Sequence, residues 1–150
     1  MATKPKQQAF FVVGHSNWGK SRTLKAVTGN SVYVRHMSIG GRGFAIRRRS
    51  NDDIDTAPWA ARIAALQSAG HAHLLLALCP TAPAAPVLRR LARAYDLYFW
   101  VMKDKFRGTG QISPAELAFL RGFGKVSVFS GQHQAPVRAR ALTNFIVANP

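Results

Sequence analysis

The sequence predicts an α/β chain in three layers: a mainly parallel sheet with one antiparallel hairpin strand, and helices on both faces. Three observations carry this. Short apolar runs alternate with segments of helical periodicity along the 150 residues, as crossover helices joining parallel strands require. The segment GHSNWGKS at 14–21 fits G-x-x-x-x-G-K-[ST] at every fixed position, behind the apolar run 10–13 and ahead of the helix-like segment 22–28. Two strand-like runs, 31–39 and 43–49, are separated by Gly40, Gly41 and Arg42, a hairpin signal.

The elements follow in order. Residues 1–9 read as a short basic tail, and 10–150 as a single domain, the size at which one core forms. Phe10, Phe11, Val12 and Val13 make a buried strand. The helix after the loop turns Leu24 and Val27 inward and stops at Gly29. After the hairpin a helix starts near Asp55 or Thr56, with Trp59, Ile63 and Leu66 on one face and Gly70 behind it. The run 73–79 is almost wholly apolar, which suits a strand covered on both sides. A Pro-rich turn leads to a helix over 87–95, with Leu88, Leu91 and Tyr95 inward. A strand over 98–102, a helix opened by Ser113, Pro114 and Glu116 as a capping box, a strand over 125–129 and a helix over 136–147 complete the chain.

The loop has a physical reading of its own. Gly14 and Gly19 let backbone N–H groups wrap a polyphosphate, and the following helix presents unpaired amides and the positive end of its dipole. Lys20 adds a cation for the β- and γ-phosphates, and Ser21 a hydroxyl for Mg²⁺. His15, Ser16, Asn17, Trp18 and Arg22 fill out the nucleotide-binding segment. The Trp18 ring is expected to lean outward, where it and Tyr33 can stack on a base.

Charge is the second signal. Twenty-one Lys and Arg face six Asp and Glu, a formal +15, so the natural partner is a polyanion: nucleic acid or a ribonucleoprotein, with an acidic protein partner as the plainer alternative. Arg89, Arg90 and Arg93 share a helix face that can follow a phosphate backbone. Arg47, Arg48 and Arg49 run off the second hairpin strand, where a period of two sends neighbours to opposite faces. No apolar run reaches the ~18 residues of a membrane span, and the first residues carry no signal-peptide core, so a cytoplasmic protein is expected. Cys79 is the only cysteine and reads as a small core residue.

The order strand, phosphate loop, helix, hairpin, then alternating helices and strands resembles the Ras-like GTPase domain of the P-loop NTPases. Gly14, Asn17, Gly19, Lys20 and Ser21 are similar to the first motif of the Era-like GTPases, G-x-x-N-x-G-K-S. The resemblance implies a nucleoside triphosphate bound with Mg²⁺ at the C-terminal ends of the strands. It also places a metal-side carboxylate among Asp52, Asp53 and Asp55, with Asp55 beside Ser21 as the metal candidate and all three beside Lys20 as catalytic candidates. The later motifs depart from the pattern. Asp55, Thr56, Ala57 and Pro58 keep the Asp of D-x-x-G and lose its Gly. Met102, Lys103, Asp104 and Lys105 do not put the guanine-reading Asp of N-K-x-D in register, so ATP and GTP stay open. Hydrolysis, phosphoryl transfer to a nucleotide or polynucleotide, and a catalytically inactive binding module are the three functional readings.

Overall fold

The computed structural model describes residues 6–31 and 33–150. Six strands form one sheet in the order β2-β3-β4-β1-β5-β6. Strand β1 (Gln8–Val13) is central, paired in parallel with β4 (His73–Leu78) and β5 (Asp96–Met102). Every residue of β1 is buried, as an apolar strand covered on both faces must be. Strand β3 (Arg42–Ile46) lies parallel beside β4, and β6 (Gly124–Phe129) closes the other edge beside β5. The single antiparallel pair is β2 (His36–Ile39) with β3.

Register fixes the two faces. Phe10 and Tyr98 are register partners, stack at 4.4 Å and meet Phe145 of α5 (Ala135–Val147) on one side of the sheet. Helix α1 (Lys20–Val27) packs against α5 on that side. Phe11 and its register partner Leu76 point the other way, where Leu76 lines a groove with Trp59 and Ile63 of α2 (Thr56–Ser68). Helix α3 (Ala85–Leu91), preceded by one 3-10 turn over Ala82–Ala84, lies beside α2. Helix α4 (Pro114–Arg121) packs on β6.

Local chemistry explains most boundaries. The hairpin turns on two residues, Gly40 and Gly41, both at positive φ, which a type I′ turn demands; Arg42 is already in β3. Its guanidinium donates to the carbonyls of Ile146 (2.7 Å) and Asn149 (3.0 Å), tying the hairpin to the last turn of α5. Ser113 and Glu116 form the expected capping box: Ser113 Oγ accepts from the Glu116 N–H at 3.1 Å, and Glu116 accepts from the Ser113 N–H at 2.9 Å.

Several expectations move. Strand β1 begins at Gln8, so the last residues read as tail are buried in the sheet; residues 1–5 lie outside the described residues. Gln8 is polar but satisfied, its amide donating to the Asn149 carbonyl at 3.1 Å. The first hairpin strand starts at His36 instead of 31, and Val32 lies outside the described residues. The second ends at Ile46, short of the arginine run. The helix expected over 87–95 is shifted to Ala85–Leu91, because Pro86 sits well in a first helical turn. Among the described residues no helix is long and apolar enough to cross a membrane.

Candidate nucleotide site

Strand β1 delivers the chain to the C-terminal edge of the sheet, and the Gly14 N–H is held there by the Leu78 carbonyl at the end of β4 (3.2 Å). The loop then turns tightly, with Trp18 N–H donating to the His15 carbonyl at 3.2 Å and Asn17 at φ 66°. Gly19 follows at φ 90° as the N-cap of α1. A side chain there is disfavoured by the left-handed conformation, and a Cβ 2.7 Å from the Arg138 guanidinium would also force that group to shift. Among the described residues no side chain caps α1, so its first-turn amides keep the donor capacity an anion uses.

Behind this turn is a cavity of about 310 Å³, at the lower end of the ~300–1,000 Å³ of small-molecule sites. Asn17 to Arg22 form one wall. Asp52 and Asp53 face them, and Phe106 and Arg138 complete the lining. Lys20 is buried and folded onto the loop, its Nζ donating to the His15 carbonyl at 2.9 Å and to Asp52 Oδ2 at 3.3 Å. Arg48 reaches the loop from the other side, its Nη1 3.4 Å from Ser21 Oγ.

Arg138 is the least expected member. It is 2 % exposed, and donates from Nε to Thr23 Oγ1 (2.9 Å), from Nη1 to the His133 carbonyl (2.7 Å) and from Nη2 to the Gly19 carbonyl (3.5 Å). Among the described residues its hydrogen-bond partners are neutral, and the two ion pairs do not include it. Burial, and then the nearby Arg22, push its guanidinium below the usual arginine range. A buried cation without a counterion is costly, so it marks a place where an anion would be stabilised.

A second unforeseen residue positions the acidic side. Since β4 separates β3 from β1 in the sheet, the segment after β3 must cross the end of β4 to reach the loop. Asn51 holds it there: its amide donates to the Cys79 carbonyl (2.9 Å) and Thr81 Oγ1 (3.2 Å), and accepts from the Cys79 N–H (2.7 Å). Asp52, the next residue, thereby meets Lys20. Asn51→Ala strands the buried Cys79 N–H, while the Cys79 carbonyl keeps the Thr81 N–H at 2.9 Å, and an expected loss of about 1–3 kcal/mol in unfolding free energy from denaturant titration accompanies weaker ligand binding.

The sequence-based candidates divide accordingly. Asn17, Trp18, Gly19, Lys20, Ser21, Arg22, Asp52 and Asp53 line the cavity; Gly14, His15 and Ser16 do not. Trp18 does not lean outward. It is 5 % exposed and wedged beneath the loop against Gly110 and Gly14, because the loop after β5 covers it. His15 turns away to Glu116 of α4 (Nε2–Oε2 2.8 Å), with Nδ1 4.0 Å from Cys79 Sγ. Cys79 itself is buried, and burial pushes its thiol above the usual range, as suits a core residue. Asp53 accepts from the Ser50 N–H at 2.9 Å, a turn role, and Asp55 is the N-cap of α2, outside the cavity lining. Asp104 accepts from the Gly131 N–H at 2.7 Å.

The arginine runs also separate. Arg89, Arg90 and Arg93 are exposed on and just after α3. Arg47, Arg48 and Arg49 were expected on opposite faces of a strand, yet all three line one groove, because β3 ends at Ile46 and the period of two lapses with it.

No protein-family model matches the chain, and no curated protein matches it. Among solved structures, it is similar to a de novo designed protein with a P-loop NTPase fold, determined in solution by NMR. The TM-score is 0.52 at 10% identity, over 93% of this chain and 92% of that one. The fold is P-loop NTPase-like. A sugar kinase from Janibacter sp. HTCC2649, unliganded, also aligns, with TM-score 0.48 at 16% identity over 95% of this chain and 96% of that one.

Proposed function

We propose that this chain binds a nucleoside triphosphate, ATP or GTP, with Mg²⁺ at the loop over residues 14–21, and hydrolyses it in a cycle coupled to nucleic acid or a ribonucleoprotein. The observation that carries the reading is Arg138, a buried cation without a carboxylate, set against Gly19 at the head of α1 and lining the same cavity as Lys20. Together with the open first-turn amides, these groups suit a polyanion far better than a neutral ligand.

The donor set fits Mg²⁺. Ser21 hydroxyl and the Asp52 and Asp53 carboxylates are hard oxygen ligands on one cavity, and phosphate oxygens and water would complete the shell. Bound there, the metal supplies neutralisation of charge on the transferred phosphoryl group. Lys20 holds the β- and γ-phosphates, Arg138 stabilises charge spreading over the equatorial oxygens, and Asp52 or Asp53 orients the attacking water. Phe106, flanked by the guanidinium groups of Arg107 and Arg138, offers a face for the base. With Asp104 engaged by Gly131, nothing at that position favours guanine, and the Ras-like or Era-like subtype rests on the first motif.

Phosphoryl transfer is the second reading, favoured by Arg48, which touches Ser21 and also faces a separate groove where an acceptor would lie. Product identity decides. Mg²⁺-dependent release of free phosphate without an acceptor is the expected result; phosphate appearing only on an added nucleotide or polynucleotide supports transfer; neither product supports a binding module.

A further inference from the structure

A second concavity lies away from the phosphate loop. A groove of about 770 Å³ runs between α2, the end of β3 and residues 34–35. Its walls carry five guanidinium groups, from Arg35, Arg47, Arg48, Arg49 and Arg62, while none of the chain's six acids lines it. Its floor is apolar, formed by Trp59, Ile63, Leu66 and Leu76. Tyr33, 88 % exposed, directly precedes the lining residues Val34 and Arg35. Arg47 spends its hydrogen bonds on neutral carbonyls, those of Arg35 (3.2 Å) and Ile46 (2.8 Å), and burial followed by the charge of Arg35 holds it below the usual arginine range. Arg47 and Arg35 therefore stand close together with no acid lining the groove beside them.

We infer that this groove binds single-stranded nucleic acid, its arginines on the phosphates and the exposed Tyr33 ring at its mouth against a base. Cations alone would serve any polyanion; the combination selects. A duplex hides the faces of its bases and offers only phosphates and narrow base edges to a concave cleft, whereas a single strand presents a phosphate and a flat apolar face at every nucleotide. Arg48 joins the two sites, since it lines the groove and its Nη1 lies 3.4 Å from Ser21 Oγ. A strand in the groove thus contacts a side chain already touching the phosphate loop. The assignment deepens the nucleic-acid part of the proposed function and is independent of hydrolysis.

The test is anisotropy of short labelled oligothymidylate and oligouridylate over a salt series, without nucleotide, on the full chain. Arg49 and Arg62 are both exposed, so Arg49→Gln with Arg62→Gln leaves the fold intact, which circular dichroism checks. The pair is expected to weaken binding about 10- to 100-fold and to flatten the log–log salt dependence by about 0.7 for each phosphate that is no longer neutralised. Arg89→Gln with Arg93→Gln is expected to change little, and Lys20→Ala to leave strand affinity unchanged while removing triphosphate binding. Unchanged affinity in the Arg49/Arg62 variant, an equal loss in the Arg89/Arg93 variant, tighter binding of a duplex of the same sequence, or equal competition by polyglutamate would each overturn the assignment.

Discussion

Lys20→Ala is expected to lower triphosphate affinity at least ~100-fold and to bring phosphate release to background. Two effects combine. The charge-assisted hydrogen bonds of the ammonium to the β- and γ-phosphates are worth about 1.5–3 kcal/mol each. Asp52, which now meets Lys20 at 3.3 Å, is left as an uncompensated anion facing the incoming phosphates. Lys20→Arg is expected to restore little, because the buried space between the His15 carbonyl and Asp52 suits a compact ammonium and not a planar fork. Isothermal titration with Mg²⁺-ATP and Mg²⁺-GTP reads the affinity, and thermal unfolding of the ligand-free variant checks that the fold persists.

Arg138→Met is the second large effect, and its signature is a split between stability and binding. In the ligand-free protein the substitution removes three hydrogen bonds to neutral groups, at Thr23, His133 and Gly19, but also the cost of burying an unpaired guanidinium. These oppose, so ligand-free stability is expected to stay within about 1.5 kcal/mol of the parent. Triphosphate affinity is expected to fall ~10- to 100-fold, and stabilisation by saturating ligand to shrink in step. A variant much less stable alone, yet binding as the parent does, would make Arg138 a structural strut and remove the observation on which the proposed function leans.

How much of this was legible depended on distance along the chain. The phosphate loop, the Gly40–Gly41 turn and the Ser113–Glu116 cap are local, their requirements being met by residues within a few positions of one another. The sheet faces followed from the apolar runs for the same reason. The rest of the site is assembled by the fold from residues far apart in the chain. Arg138 stands 119 positions from Gly19, although a signal existed: it sits four and eight residues before Leu142 and Ile146 on the buried stripe of α5, an inward place for a charged side chain. Phe106 carries no motif, and only its place after β5, at the same sheet edge as the loop, points to the site. Asn51 carries no motif either, since nothing local announces that β4 lies between β3 and β1. The arginine run departs from the strand period because β3 ends at Ile46, just before it begins. Trp18 misled because a loop distant in sequence covers it.

Both large effects require the phosphate cradle of residues 14–21 to be an occupied nucleotide site. Equilibrium dialysis of the parent chain with labelled ATP and GTP, with and without Mg²⁺, tests that most directly. One mole of triphosphate bound per mole of protein, tighter with Mg²⁺ and displaced by unlabelled triphosphate, is the predicted result. No binding of either nucleotide at millimolar concentration would contradict it.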